Sequence, residues 1–231
     1  MATIKDVASL AGVSTATVSR VINQTAWVEP VTRERVEKAM RDLNYRRNAA
    51  AIALAKRSAA REATRYLLAN GHRRIACVTS DLPIIDRQER LDGYREALEE
   101  YGISPDPRWV ISVPFNEEGG ERAAHQLINS GLPLTAAVTF NDVMAAGIMR
   151  ILHQRGVQLP QQLSIVGFDD VVLARYLYPA LTTMHYPVEQ MARCAAQLAI
   201  QLYQGITPPP SSNHFNAELV IRDSVAPYFS R

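Results

Sequence analysis

The sequence predicts two architectures in one chain: an all-α headpiece over residues 1–46 and, after a connecting segment at 47–60, an α/β domain with a doubly wound parallel sheet over 61–231. Three observations predict them. The first 44 residues hold three short segments, each with an apolar stripe at helical spacing. From residue 74 onward, short apolar runs alternate with helix-length segments, the pattern of a parallel sheet covered on both faces. The charge divides at the same place: residues 1–60 hold ten Lys/Arg against five Asp/Glu, and residues 61–231 hold fifteen against eighteen. A basic head on a mildly acidic body points to a polyanionic partner for the head.

The first stretch, IKDVASLAGVSTATVSRVIN, is an amphipathic helix broken at Ala11-Gly12-Val13 and restarted at once. Thr3 is the expected cap, and Ile4, Val7, Ala8 and Ala11 share one face. Gly12 supplies the conformation that ends a helix cheaply, Val13 plugs the inner corner, and Ser14 caps the restart. Val18, Val21 and Ile22 form the inward stripe of the second helix, which leaves Thr15, Ala16, Thr17, Ser19 and Arg20 around its start and outer side. This is the pattern of a helix-turn-helix whose second helix lies against DNA. Short side chains permit close approach to the major groove, hydroxyls and a capped N-terminus can meet phosphates, and Arg20 has the fork that pairs with a guanine edge. An ordinary helical hairpin with a solvated face has the same bare pattern, and on these residues alone the two readings stand level.

A third helix is expected over 32–44, TRERVEKAMRDLN, with Thr32 as its cap and Val36, Ala39, Met40 and Leu43 as its buried stripe. Tyr45-Arg46-Arg47-Asn48 and AAAIALAKRS follow. The latter is a good helix former but too short to hold alone in water, so it reads as a hinge that orders only with DNA and a second copy present.

Together, IKDVASLAGVSTATVSRVIN and TRERVEKAMRDLNYRRNAAAIALA resemble the N-terminal domain and hinge of the LacI/GalR family of bacterial transcription regulators, over about sixty residues. The resemblance implies base reading by Thr15, Ala16 and Arg20. It implies backbone contacts from or near Thr3, Ser14, Thr17, Ser19, Asn23, Thr32, Tyr45 and Asn48, and a minor-groove wedge at Leu54. The implied partner is double-stranded operator DNA, bound by a homodimer. Because Thr15-Ala16 carries little hydrogen-bonding information, specificity should lean on Arg20, methyl contacts and the shape of the central step.

In the body, the expected helices are 62–72, 86–102, 119–131, 142–156 and 187–205, and the expected strands are 74–79, 109–113, 134–140, 163–168 and a final run near 214–224. Ligands of such sheets bind beyond the carboxyl ends of the strands. Asn141-Asp142 and Asp169-Asp170 fall there, with Arg90 early in a neighbouring helix; an amide, a carboxylate and an Arg suit a sugar. On spacing alone, Asn141 and Asp169 read more readily as caps of helices and turns than as ligand contacts. The runs GHRRIACVTS, RLDGYREAL, TAAVTFNDVMAAG, LSIVGFDDV and ARYLYPALTTMHYPVEQMA resemble the same family's effector-binding core, which is related to periplasmic sugar-binding proteins. That implies effector contacts from Arg90, Asn141 and Asp169 and a possible apolar ring platform at Phe115, in a repressor of sugar-utilisation genes, galactose-type.

One departure stands out. The family's core has two lobes, yet here Lys56-Arg57-Ser58-Ala59-Ala60 runs straight into REATRYLLANGH. Most of the first lobe is absent, as after an in-frame deletion, and only the crossing helix near 187–204 remains of it. The expected consequences are an effector with one wall and poor affinity, a broken link between effector and DNA, and an exposed apolar face on that helix at Met191, Cys194, Leu198 and Leu202.

The remaining features narrow the alternatives. The chain is 47% hydrophobic and 21% charged without low-complexity tracts, as in soluble domains. No apolar run suits a bilayer, no export signal is visible, and Cys77 and Cys194 read as buried hydrophobes, so a cytoplasmic, nucleoid-associated protein is expected. The five His show no metal spacing and no phosphate-binding glycine loop is present, so neither cofactor nor metal is expected. Adjacent Asp169 and Asp170 suit a flanking acid/base pair badly, which argues against a hydrolase. A sugar-binding module or a paralogue without regulatory activity is the remaining alternative.

Overall fold

The computed structural model describes residues 4–23, 27–43, 47–204 and 215–229, in two compact units that divide after Ile52. The first unit holds α1 (Ile4–Ala11), α2 (Thr15–Asn23) and α3 (Pro30–Asp42) around a small core that includes Val7, Val18, Val28, Val36 and Ala39. Val13, Met40 and Leu43 pack partly buried against it.

The break between α1 and α2 has a clear backbone cause. Gly12 adopts φ +64° and donates its N–H to Ser9 O at 3.2 Å, while Val13 N–H reaches back to Ala8 O at 2.9 Å. This pair of bonds satisfies carbonyls that the end of α1 would otherwise leave open. Ser14 then caps α2, its Oγ accepting from Thr17 N at 3.0 Å.

Thr32 does not cap α3. The helix opens one residue pair earlier at Pro30, with Glu29 before it making no side-chain cap bond, and Thr32 lies half-buried in the first turn. Proline's fixed φ and missing N–H suit the first helical position, which moves the start upstream.

The segment expected as a separate hinge is the first part of α4 (Arg47–Ala69), a single helix of 23 residues. No Gly or Pro interrupts it. Ala59, Ala60, Ala63, Leu67 and Leu68 are buried in the second unit, so packing stabilises the helix where propensity alone would not.

The second unit is built on one six-stranded sheet, order β2-β1-β3-β4-β5-β6. Its strands are β1 (Ile75–Ser80), β2 (Val110–Val113), β3 (Ala136–Thr139), β4 (Ser164–Asp169), β5 (Thr182–His185) and β6 (Glu218–Val220). β1 to β5 are parallel: β1 to β4 fall at the expected strands, β5 lies in a run expected only as a crossing to the next helix, and the expected final run appears as β6, antiparallel to β5 at the edge. Helices α5 (Ile85–Glu100), α6 (Glu117–Asn129), α7 (Asp142–Gln154) and α8 (Val188–Tyr203) connect them. One face buries Ile148, Leu152 and Ile165, and the other Leu67, Leu98 and Phe168, so both faces of the sheet are covered. On α8, Val188, Ile200 and Tyr203 are exposed, whereas Met191 and Cys194 are half-buried. The side chains of Leu198 and Leu202 lie outside the described residues.

Among the described residues no helix is long and apolar enough to cross a membrane, and no His/Cys/Asp/Glu cluster could hold a metal.

Candidate nucleic-acid interface and ligand site

The headpiece presents one face that its core does not use. Val18 and Val21 point α2 inward, which leaves Thr15, Ala16 and Arg20 exposed on the same helix. Ser14 is exposed and Thr17 half-buried, and their hydroxyls lie 2.9 Å apart. The helix start is therefore narrow, with small side chains and a cap that leaves N–H groups pointing outward. Such an end can approach a phosphate or a groove floor closely. Arg20 stands exposed in the last turn of α2. Thr3 and Tyr45 lie outside the described residues, as do the side chains of Ser19, Asn23, Asn48 and Leu54.

The second site lies at the carboxyl ends of β1, β3 and β4, where the strand order reverses between β1 and β3. The structure pairs Arg90 with Asp169, and Arg90 also donates to the carbonyl of Phe140, the residue before Asn141. Arg90, on α5, is 8% exposed, and its guanidinium lies 4.5 Å from the Phe140 ring centre and 4.3 Å from that of Phe168. It sits 3.6 Å from the Asp169 carboxylate. Asp169 ends β4 at φ +102°. Its carboxyl is raised from the ordinary value by desolvation, against the pull of the Arg90 charge.

Asn141 caps α7. Its Oδ1 accepts from Met144 N at 2.8 Å and its Nδ2 donates to Phe115 O at 3.1 Å. One amide hydrogen remains for any ligand. Phe115 is exposed, at 6.2 Å from the Phe140 ring. Asp170 turns away from Asp169 and binds Arg222 at 2.5 Å and His185 at 3.1 Å, so the two carboxylates do not form a working pair.

Two features escaped sequence reasoning. The first is Asp142, wholly buried, whose Oδ1 meets Thr183 Oγ1 at 2.5 Å and whose Oδ2 accepts from Val171 N at 2.9 Å. Burial pushes its carboxyl up to about 7, against those two hydrogen bonds. It ties the start of α7 to β5 and to the loop after β4, and Gly167 on β4 is the sequence signal, since a Cβ there would come within 2.2 Å of the Asp142 carboxylate. The second is the ion pair between Lys56 on α4 and Asp86 on α5, for which a separation of thirty residues offers no local pattern.

Comparisons with known proteins follow this geometry. The model for bacterial regulatory proteins of the lacI family matches residues 3–48, and that for a periplasmic binding protein-like domain matches 64–225. The HTH-type transcriptional regulator GalS of Salmonella typhimurium is 32% identical over 330 aligned positions, covering 98% of this chain and 97% of that protein. This chain belongs to the lacI family. The HTH-type transcriptional regulator GalR of Escherichia coli is 43% identical over 175 residues, covering 76% of this chain and 51% of GalR, so the chain spans about half of that relative's length. A solved sugar-binding transcriptional regulator of the LacI family from Escherichia coli is 32% identical, with a TM-score of 0.69, covering 75% of this chain and 62% of that one. These relatives are transcriptional regulators, not enzymes. The GalS alignment is longer than the 231 residues here, so a long stretch of that lacI-family relative faces no residue of this chain.

Proposed function

We propose that this chain is a sequence-specific DNA-binding repressor of sugar-utilisation genes, galactose-type, that binds a pseudo-palindromic operator as a homodimer. The observation that carries the proposal is the Ser14-capped α2 with Thr15, Ala16 and Arg20 exposed beside a buried Val18/Val21 stripe. In this reading Thr15, Ala16 and Arg20 read bases. Thr3, Ser14, Thr17, Ser19, Asn23, Thr32, Tyr45 and Asn48 meet the backbone, and Leu54 wedges into the minor groove. A single headpiece buries little surface, so two half-sites are needed for useful affinity. The test is a fluorescence-anisotropy titration of the full chain on operator and random duplexes. Arg20→Ala should remove most of the preference for operator, and an unchanged preference rejects the assignment of α2 as the reading helix.

The effector in this reading is a sugar contacting Arg90, Asn141 and Asp169, with a response impaired by the missing lobe. The sugar-binding relative from Escherichia coli supports the ligand class. The burial of Arg90 supports the impairment, because a ligand reaches it only after something moves.

A further inference from the structure

We infer that residues 53–60 of α4 are a lid closed over the Arg90 side of the ligand site, and that a sugar and this helix segment compete for the same place. The inference rests on the reading of that site as a sugar site.

Four observations point to it. Ala60 of α4 lines a void of about 10 Å³ together with Thr79, Arg90, Phe140 and Phe168. That is room for about one water, whereas sugar-sized ligands occupy pockets of roughly 300 Å³ or more. Polar atoms aimed into this region have no partner: Arg90 Nε, Thr79 Oγ1 and, on the ring stacked against Phe168, Tyr186 Oη. Buried unsatisfied donors and acceptors raise the energy of the closed arrangement, and a hydroxylated ligand would relieve them. The lid has its own latch, since Lys56 pairs with Asp86 and Arg57 with Glu96, both across to α5. Finally, the lid is seated at Gly93, where an added Cβ would come within 2.1 Å of Arg57 O.

The consequence is a direct link between ligand and hinge. In the closed state, residues 53–60 are held as helix by contacts to α5. A sugar that occupies the site must lift them, and those residues lead by chain connection to the headpiece. Loss of most of one lobe thus places the hinge helix where a second wall would otherwise be.

The test uses the full chain carrying Cys194→Ser, so that Cys77, which is 6% exposed and lines the void, is the remaining thiol. Asp86→Ala breaks the latch without altering α4, and Gly93→Ala levers α4 away from α5. Arg150→Ala, which breaks the Arg150–Glu121 pair between α7 and α6, serves as the control. Each variant is first shown to keep its far-UV dichroism and a single cooperative urea transition. Labelling of Cys77 by a thiol reagent should then rise at least tenfold in Asp86→Ala or Gly93→Ala and stay unchanged in Arg150→Ala. Affinity for galactose by calorimetry should rise at least tenfold in the same two variants. Unchanged labelling in both latch variants overturns the lid. Equal galactose affinity in parent and variants also overturns it while leaving the sugar site standing. Faster labelling with no galactose binding in any variant overturns the sugar reading, and the competition with it.

Discussion

In the proposed reading Arg20 carries the information content of the headpiece, because its neighbours Thr15 and Ala16 offer one hydroxyl and two methyl groups between them. A bidentate contact to guanine discriminates by about 1–3 kcal/mol, so Arg20→Ala should compress the operator-to-random ratio by that amount while leaving random-duplex affinity nearly intact. Ser14 acts on a different quantity. Its Oγ closes the Thr17 N–H, so Ser14→Ala should cost about 1 kcal/mol of headpiece stability in urea titration followed by helical dichroism. Thr32→Ala should cost far less in the same measurement, because Pro30 already begins α3. Asp142 sets a pH signature. Its carboxyl keeps its proton up to about 7 in the folded chain, whereas the unfolded chain releases it near the ordinary value of 3.8. Over that window the unfolded state binds fewer protons, so stability falls as pH rises and the loss is complete above about 7. Asp142→Asn, whose amide can still serve Val171 N and Thr183, should remove this slope, on the order of a few kcal/mol between pH 4 and pH 8 in denaturant titrations.

At the scale of elements, α6 and α7 approach each other closely. A Cβ at Gly120 would lie 2.2 Å from Met144 O, and one at Gly147 would lie 2.2 Å from Glu117 O. The two helices meet backbone to backbone, so a methyl on either has nowhere to go. Gly147→Ala should lower the urea midpoint by an amount equal to about 1–3 kcal/mol, the usual cost of overpacking. Most elements were legible beforehand, because apolar runs and helical stripes report local structure. The edge strand β6 is the clearest departure in direction: nothing in ELV distinguishes a parallel from an antiparallel neighbour. The length of α4 is another. Propensity favours helix over 47–60, but the decision to continue into 61–69 as one rod comes from Ala59, Ala60 and Ala63 sinking into the sheet face.

For the whole molecule, the charge split has a direct readout. A headpiece that neutralises six to ten phosphates should lose about 10³–10⁵ in affinity between 50 and 200 mM salt, on operator and random duplex alike. A slope near zero in the plot of log affinity against log salt would remove the polyanion from the account. The ligand site was only half legible at this scale. Arg90 and Asp169 lie 3.6 Å apart, a pairing no local pattern announces, and Asn141 uses its amide on a helix cap and a loop carbonyl. Its two roles are indistinguishable in sequence, since Asn at a strand-to-helix junction suits both.

The order of residues alone settled the helix-turn-helix, the alternation of strands and helices, and the lacI-family kinship. Each of these is written in spacing over a few turns: Gly12 where a left-handed residue is required, Ser14 where a cap is required, apolar runs where strands are buried. Packing at long range settled the rest: Arg90 shut between Phe140 and Phe168, Lys56 latched to Asp86, and a hinge segment drawn into the body as helix. Contacts between residues thirty or fifty positions apart leave no periodicity to read. They follow from which surfaces remain uncovered once the sheet has formed, and here the uncovered surface was the one beside the ligand site.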